Sequence, residues 1–117
     1  MVDGESHGTH VAGMAGAHFP NNPELSGVAP GCHIVSCRIG DMRLGTQETT
    51  TSLIRGLIEA KRNNVDVINI SYGEPTKTFN EGRVSELLED LVFKHGIMIT
   101  SSAGNEGPAL GTGKRCG

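Results

Sequence analysis

Residues 66–72 read Asp-Val-Ile-Asn-Ile-Ser-Tyr, and this β-branched run predicts a buried β-strand. Residues 82–95 predict an amphipathic helix, because apolar side chains recur there at the i, i+3, i+4, i+7 and i+8 positions of one helical face. These side chains are Val84, Leu87, Leu88, Leu91 and Val92. Gly96 stands where helices commonly end, and residues 97–102 form a second strand-like run. The segment therefore predicts a strand, a helix and a strand in succession.

The same alternation continues towards the start of the chain. Residues 49–63 predict a helix whose apolar residues share one face: Leu53, Ile54, Leu57 and Ile58. Residues 33–39 predict a strand, residues 20–31 a loop rich in Pro and Gly, and residues 8–16 a short helix of small side chains. Strands that alternate with helices over short connections form βαβ units, so we predict an α/β fold with a parallel sheet.

Length, charge and composition disfavour several classes of protein. The chain has 117 residues and a net charge of −3 without runs of like charge, which predicts one domain and no groove for nucleic acid. No apolar run approaches the roughly 20 residues that span a bilayer. Residues 1–5 do not begin a signal peptide, so we predict no membrane association. Three cysteines without a C-x-x-C pair favour a reducing compartment: Cys32, Cys37 and Cys116.

Residues 6–13, Ser-His-Gly-Thr-His-Val-Ala-Gly, place a histidine at the start of a helix of small residues. A neutral imidazole held there could act as a general base, which makes His7 a candidate catalytic residue. An alternative is that His7 and His10 are ordinary surface residues. A zinc site is disfavoured, because no Glu separates the two histidines as in H-E-x-x-H and no cysteine pair supports one. No metal or other cofactor is therefore predicted.

A Gly-rich loop follows the last predicted strand and contains Asn105. The amide N–H of such an asparagine can stabilise a developing oxyanion, although a plain turn asparagine fits the same pattern. Residues 111–115, Gly-Thr-Gly-Lys-Arg, are similar to a phosphate-binding loop. The spacing fails, because Pro108 and Arg115 occupy positions that require Gly and Ser or Thr.

Two loops with these features fall at one edge of the predicted sheet. Residues 71–74, Ser-Tyr-Gly-Glu, follow one strand, and residues 104–107, Gly-Asn-Glu-Gly, follow the next. Ligands of open α/β sheets bind beyond the carboxyl ends of the parallel strands. We therefore predict a functional site at that edge.

Four motifs in order resemble the subtilisin-like serine peptidase family: His-Gly-Thr-His-Val-Ala-Gly, Gly-Val-Ala-Pro, Asn-Ile-Ser-Tyr-Gly and Ala-Gly-Asn-Glu-Gly. The resemblance covers residues 1–110 and implies part of the family's three-layer α/β peptidase domain. Residues 111–117 depart from the pattern. We interpret them as a divergent tail that an error in the gene model would explain.

The resemblance implies a role for each matching residue. His7 matches the histidine of the catalytic triad and Asn105 the asparagine that binds the oxyanion. Ser71, Tyr72 and Gly73 match the segment whose backbone pairs with the substrate. The triad aspartate and the Gly-Thr-Ser nucleophile motif are absent from this sequence. We therefore interpret the chain as an internal fragment that is inactive alone.

Several stretches carry a closer likeness within that family: His18-Phe19-Pro20, Arg38-Ile39-Gly40-Asp41, Leu53-Ile54-Arg55 and Ser71-Tyr72-Gly73-Glu74. They resemble the tripeptidyl-peptidase II group, which implies removal of tripeptides from free amino termini. There Glu48 and Glu74 match two glutamates that hold the substrate's ammonium group. The resemblance also implies a large homo-oligomer in the cytosol. Two alternatives remain open: a generic subtilisin-like endopeptidase, and a non-catalytic α/β binding module if the chain is complete.

Overall fold

A computed structural model describes residues 6–40, 50–71 and 82–105 of the 117-residue chain. The described residues fall into two units, residues 6–36 in one and residues 37–40, 50–71 and 82–105 in the other. The first unit contains helix α1 and a short 3₁₀ helix. The second contains two helices and two strands. The elements are α1 (His7–Gly16), the 3₁₀ helix (Pro23–Leu25), α2 (Thr50–Arg62), β1 (Val67–Ile70), α3 (Arg83–Phe93) and β2 (Met98–Ser101).

In the first unit, the loop that follows α1 returns to the end of that helix. The backbone N–H of Gly27 donates to the carbonyl of Ala17 at 2.8 Å, and that of Ala29 donates to the carbonyl of Ala15 at 2.8 Å. A Cβ atom at Gly27 would lie 2.8 Å from backbone atoms of Ala15 and Gly13, so only glycine fits. The Gly-Val-Ala-Pro motif thus satisfies carbonyl groups that a helix leaves unpaired at its last turn.

The strand predicted for residues 33–39 is wrong, because these residues are not assigned to a strand in the structure. Two isoleucine side chains of this segment contact helices instead. Ile34 lies against Gly16, where an added Cβ would be 3.2 Å from its Cδ1 atom. In the second unit, Ile39 lies against Gly56 of α2, where an added Cβ would be 3.1 Å away. A strand needs a hydrogen-bonded partner as well as β-branched residues, and the residue pattern carries no information about the partner.

The second unit is a βαβ unit, as predicted. Strands β1 and β2 pair in parallel, with Val67 opposite Met98 and Ile70 opposite Ser101. Helix α3 connects them, and helices α2 and α3 pack against each other. The core is apolar and consists of Leu53, Leu57, Ile70, Val84, Leu91 and Ile97. It therefore joins the predicted apolar faces of both helices to the two strands.

Each helix of this unit is followed, within three residues, by a residue with left-handed backbone conformation. Asn64 (φ 51°) follows α2, and the N–H of Val65 donates back to the carbonyl of Ala60 at 3.3 Å. Gly96 (φ 66°) follows α3, and its N–H donates to the carbonyl of Val92 at 3.1 Å. The helix end predicted at Gly96 is therefore confirmed, and it turns the chain directly into β2.

A charge cluster around Asp90 joins α3 to α2. The Asp90 carboxylate lies 2.7 Å from Lys94 Nζ, 3.5 Å from Lys61 Nζ and 3.4 Å from His95 Nε2. The hydrogen bond from Lys94 lowers the pKa of Asp90, and the same bond raises the pKa of Lys94. Because Lys61 belongs to α2, the cluster supplements the apolar contact between the two helices.

Within the second unit, α2 and α3 pack on one face of the β1–β2 pair. On the other face Val67 and Met98, which are opposite each other, have exposed fractions of 55% and 63%. Parallel sheets in α/β proteins are normally covered on both faces.

None of the described helices is long and apolar enough to pass through a membrane.

Candidate active site

Three of the predicted site residues are described by the structure, and four are not. His7 lies in the first unit, whereas Ser71 and Asn105 lie in the second. The remaining four lie outside the described residues: Glu48, Tyr72, Gly73 and Glu74. The geometry of the site is therefore built from the two units separately.

His7 is the first residue of α1, and its side chain is exposed. The helix starts one residue earlier than predicted, since the carbonyl of Ser6 already accepts a hydrogen bond from the N–H of His10 at 2.8 Å. His10 lies one turn further along and is exposed as well. The His7 side chain is thus exposed on the first turn of a regular helix.

Ser71 directly follows β1 and is half-buried. The parallel ladder continues to this point, because the N–H of Ser102 donates to the carbonyl of Ile70 at 3.1 Å. The Ser71 hydroxyl accepts a hydrogen bond from the side-chain amide of Asn69 at 2.7 Å. Ser71 is thus tied to the sheet at the place where the chain leaves it.

Asn105 is exposed in the loop that follows β2. The preceding Gly104 has φ 85°, a left-handed conformation that favours glycine and turns the chain before the asparagine. Since β1 and β2 are parallel, their carboxyl ends lie at the same edge of the sheet. Ser71 and Asn105 therefore follow neighbouring strands at one edge, as the sequence predicts for these two residues, whereas residues 72–74 and 106–107 of the two predicted loops lie outside the described residues.

Asn69 and Thr100 connect β1 with β2 beside Ser71, and neither was among the predicted site residues. The Thr100 hydroxyl donates to Asn69 Oδ1 at 2.9 Å, and Asn69 in turn reaches Ser71. Asn69 is a polar residue within an apolar strand, and this was the signal available from the sequence.

Across residues 6–40, 50–71 and 82–105, no cluster of three or more His, Cys, Asp or Glu side chains could hold a metal ion.

The parallel βαβ unit, the helix that begins with a histidine and the asparagine loop at the carboxyl edge define a subtilisin-like α/β peptidase fold. The family model described as the Subtilase family matches residues 1–116. The chain belongs to the subtilase family, and the family resemblance and fold predicted from the motifs are confirmed.

Similar proteins include tripeptidyl-peptidases and subtilisins. The chain is 53% identical over 112 residues to tripeptidyl-peptidase 2 of Oryza sativa subsp. japonica, a match that covers 96% of this chain and 8% of the rice protein. It is 36% identical over 110 residues to subtilisin E of Bacillus subtilis, covering 94% of this chain and 27% of that protein. A crystal structure of tripeptidyl peptidase 2 matches with a TM-score of 0.80 and 45% identity, over 91% of this chain and 9% of that one. The chain therefore corresponds to a small part of the tripeptidyl-peptidase relatives.

Proposed function

We propose that this chain is part of a longer serine peptidase that removes tripeptides from the free amino termini of peptides. The observation that carries the proposal is the position of Ser71 and Asn105 after neighbouring parallel strands of a subtilase fold. A substrate backbone bound beside Ser71 would have its scissile carbonyl within reach of an amide donor from the adjacent loop. The 53% identity to a tripeptidyl-peptidase 2 supports the exopeptidase form of the reaction.

Each residue then has a distinct role in acyl transfer. His7 accepts the proton of the nucleophilic serine and returns it to the leaving amine. The Asn105 side-chain amide donates a hydrogen bond to the oxyanion of the tetrahedral intermediate. The backbone of Ser71, Tyr72 and Gly73 pairs with the substrate as an added strand. The serine and the triad aspartate come from parts of the protein outside this sequence, which contains no Gly-Thr-Ser motif.

Glu48 and Glu74 give the enzyme its exopeptidase character in this proposal. An ammonium group that leaves water needs compensating carboxylates. Carboxylates that stand three residues from the scissile bond, roughly 10 Å along an extended peptide, measure off a tripeptide. Subtilisin E, at 36% identity, favours the second candidate function, a generic endopeptidase in which the two glutamates have no such role.

We also propose a cytoplasmic location and a large homo-oligomeric assembly for the complete protein. Cys32 and Cys37 are free thiols, which suits a reducing compartment. The oligomer is inferred from the resemblance to the tripeptidyl-peptidase II group.

Hydrolysis of a tripeptide–coumarin amide tests whether the protein is a serine peptidase. We expect the full-length protein to release coumarin and a serine-directed phosphonate to stop the release, because the phosphonate bonds to the nucleophile. The 117-residue chain is the matched control and should give the rate of buffer, since it lacks the serine motif. Turnover by the isolated chain that the phosphonate blocks would contradict the assignment, as would phosphonate-resistant turnover by the full-length protein.

A further inference from the structure

Three polar side chains form a continuous hydrogen-bonded series across the two strands. The Thr100 hydroxyl of β2 lies 2.9 Å from Asn69 Oδ1, and Asn69 Nδ2 lies 2.7 Å from the Ser71 hydroxyl. The Thr100 hydroxyl is also 3.5 Å from the Ile68 carbonyl. We call Thr100, Asn69 and Ser71 the polar bridge. It begins on β2, crosses to β1 and ends at the first residue after β1.

Asn69 is exposed, on the face of β1 that also carries Val67. Asparagine is depleted from strands, and the other residues of β1 are apolar: Val67, Ile68 and Ile70. A carboxamide has an acceptor and a donor on opposite sides, so it can link two hydroxyl groups that lie on either side of it. The polar bridge uses both sides, whereas an apolar side chain at position 69 could use neither.

The place where the polar bridge ends gives it a consequence for substrate binding. Asn69 and Thr100 are direct partners in the parallel register, so their bond is fixed by the strand pairing itself. The bond from Asn69 to Ser71 then restrains Ser71, the first residue of the substrate-pairing segment. A misplacement of about 1 Å in a substrate-positioning segment can cost about 100-fold in rate.

We propose that Asn69 is a positioning residue, which acts through Ser71 to hold the substrate-pairing segment in register with the Asn105 loop. This inference rests on the proposed peptidase function. Asn69 touches no reacting atom, and Thr100 anchors it from the neighbouring strand. Loss of either hydrogen bond leaves the fold intact but lets the segment shift relative to the oxyanion donor.

The test uses the full-length peptidase with two variants that remove the bridge, Asn69→Leu and Thr100→Val. Thr100→Ser keeps the hydroxyl that Thr100→Val removes. Val67→Ala is the matched control for Asn69→Leu, because Val67 lies on the same strand and the same face as Asn69 but outside the polar bridge. Active sites are counted with the phosphonate, and kcat/KM is expressed per active site. We expect Asn69→Leu and Thr100→Val each to lower kcat/KM roughly 5- to 10-fold, the effect of one hydrogen bond.

The controls separate positioning from a merely structural role. A structural role would reduce the number of titrated active sites and the Tm without changing kcat/KM per active site. We expect Thr100→Ser to stay within about twofold of the wild type, because it keeps the hydroxyl that donates to Asn69. We expect the same of Val67→Ala, as for substitutions away from special features. We also expect the losses in the Asn69→Leu/Thr100→Val double variant to be non-additive, since both residues act through one bridge.

Two results would overturn the inference, and they are distinguishable. A wild-type protein without peptidase activity would remove the proposed function and the positioning role with it. An active wild type whose Asn69→Leu variant has the kcat/KM of Val67→Ala would remove the positioning role alone. Equal losses for Thr100→Ser and Thr100→Val would do the same, because the hydroxyl would then be irrelevant.

Discussion

Replacing His7 by alanine in the full-length peptidase is expected to lower kcat by about 10²- to 10⁴-fold, the typical contribution of a general base. The nucleophilic serine keeps its proton near neutral pH unless a base accepts it, so the acylation step slows. The His7 side chain is exposed at the start of α1, and its truncation leaves no internal cavity. The loss should therefore appear in kcat, with KM and Tm nearly unchanged.

His10→Ala is the matched control for this prediction. His10 lies on the same helix, one turn further along, and is also exposed. A surface substitution of this kind changes stability by less than about 0.5 kcal/mol, and we expect kcat to stay within about twofold. Equal and small effects of both substitutions would show that the two histidines are ordinary surface residues. Equal and large losses, restored by zinc, would favour the metal site that the sequence analysis disfavours.

The second large effect is expected from Glu48→Gln and from Glu74→Gln, which keep the side-chain shape and remove one negative charge. Truncation of one partner of a buried charge pair costs on the order of 2–5 kcal/mol. At 1.4 kcal/mol per decade this is a loss of roughly 30- to several-thousand-fold in kcat/KM. Part of the loss should fall on kcat, because binding at the amino terminus also positions the scissile carbonyl.

An acetylated twin of the substrate is the control for the glutamate variants. Acetylation removes the ammonium charge, so the twin has nothing for Glu48 or Glu74 to hold. We expect each variant to lose far more on the free peptide than on the acetylated one. A ratio of the two losses near one for both variants would eliminate the amino-terminal anchor and favour a generic endopeptidase, with the subtilase fold unaffected.

The helical and βαβ parts of the fold could be predicted because their signals are local. The apolar stripe of α3 and the glycine at position 96 specify that helix without reference to the rest of the chain. The stripes are wider than the buried faces, however. Ile58 and Val92 were placed on apolar faces and are 37% and 39% exposed. Periodicity gives the direction of a face, whereas its width depends on what covers it.

Pairing between distant residues was not predictable in the same way. Residues 33–39 have strand-like composition, but Ile34 and Ile39 pack on helices. The bond between Thr100 and Asn69 joins residues 31 positions apart, and it exists only because the two strands adopt one particular register. A pattern within one strand does not contain that register, which explains why the sequence analysis gave the polar bridge no role.

Some features of the candidate site could likewise be predicted from local patterns, and others could not. The alternation of strands and helices was enough to place Ser71 and Asn105 at one edge, because the direction of parallel strands follows from the crossover. The roles of Glu48 and Glu74 and the triad role of His7 came from the family resemblance, since a single histidine or glutamate does not by itself identify a substrate or a catalytic partner. Those roles therefore depend on experiments with the complete enzyme.

The most direct test of the central claim is to identify the products of peptide cleavage by mass spectrometry. The full-length peptidase is incubated with an unstructured peptide of about ten residues and with its amino-terminally acetylated twin. We predict that the free peptide loses its first three residues as an intact tripeptide, while the twin is cleaved far more slowly because no ammonium group reaches Glu48 and Glu74. Cleavage of both peptides at the same internal bonds and at similar rates would contradict the account.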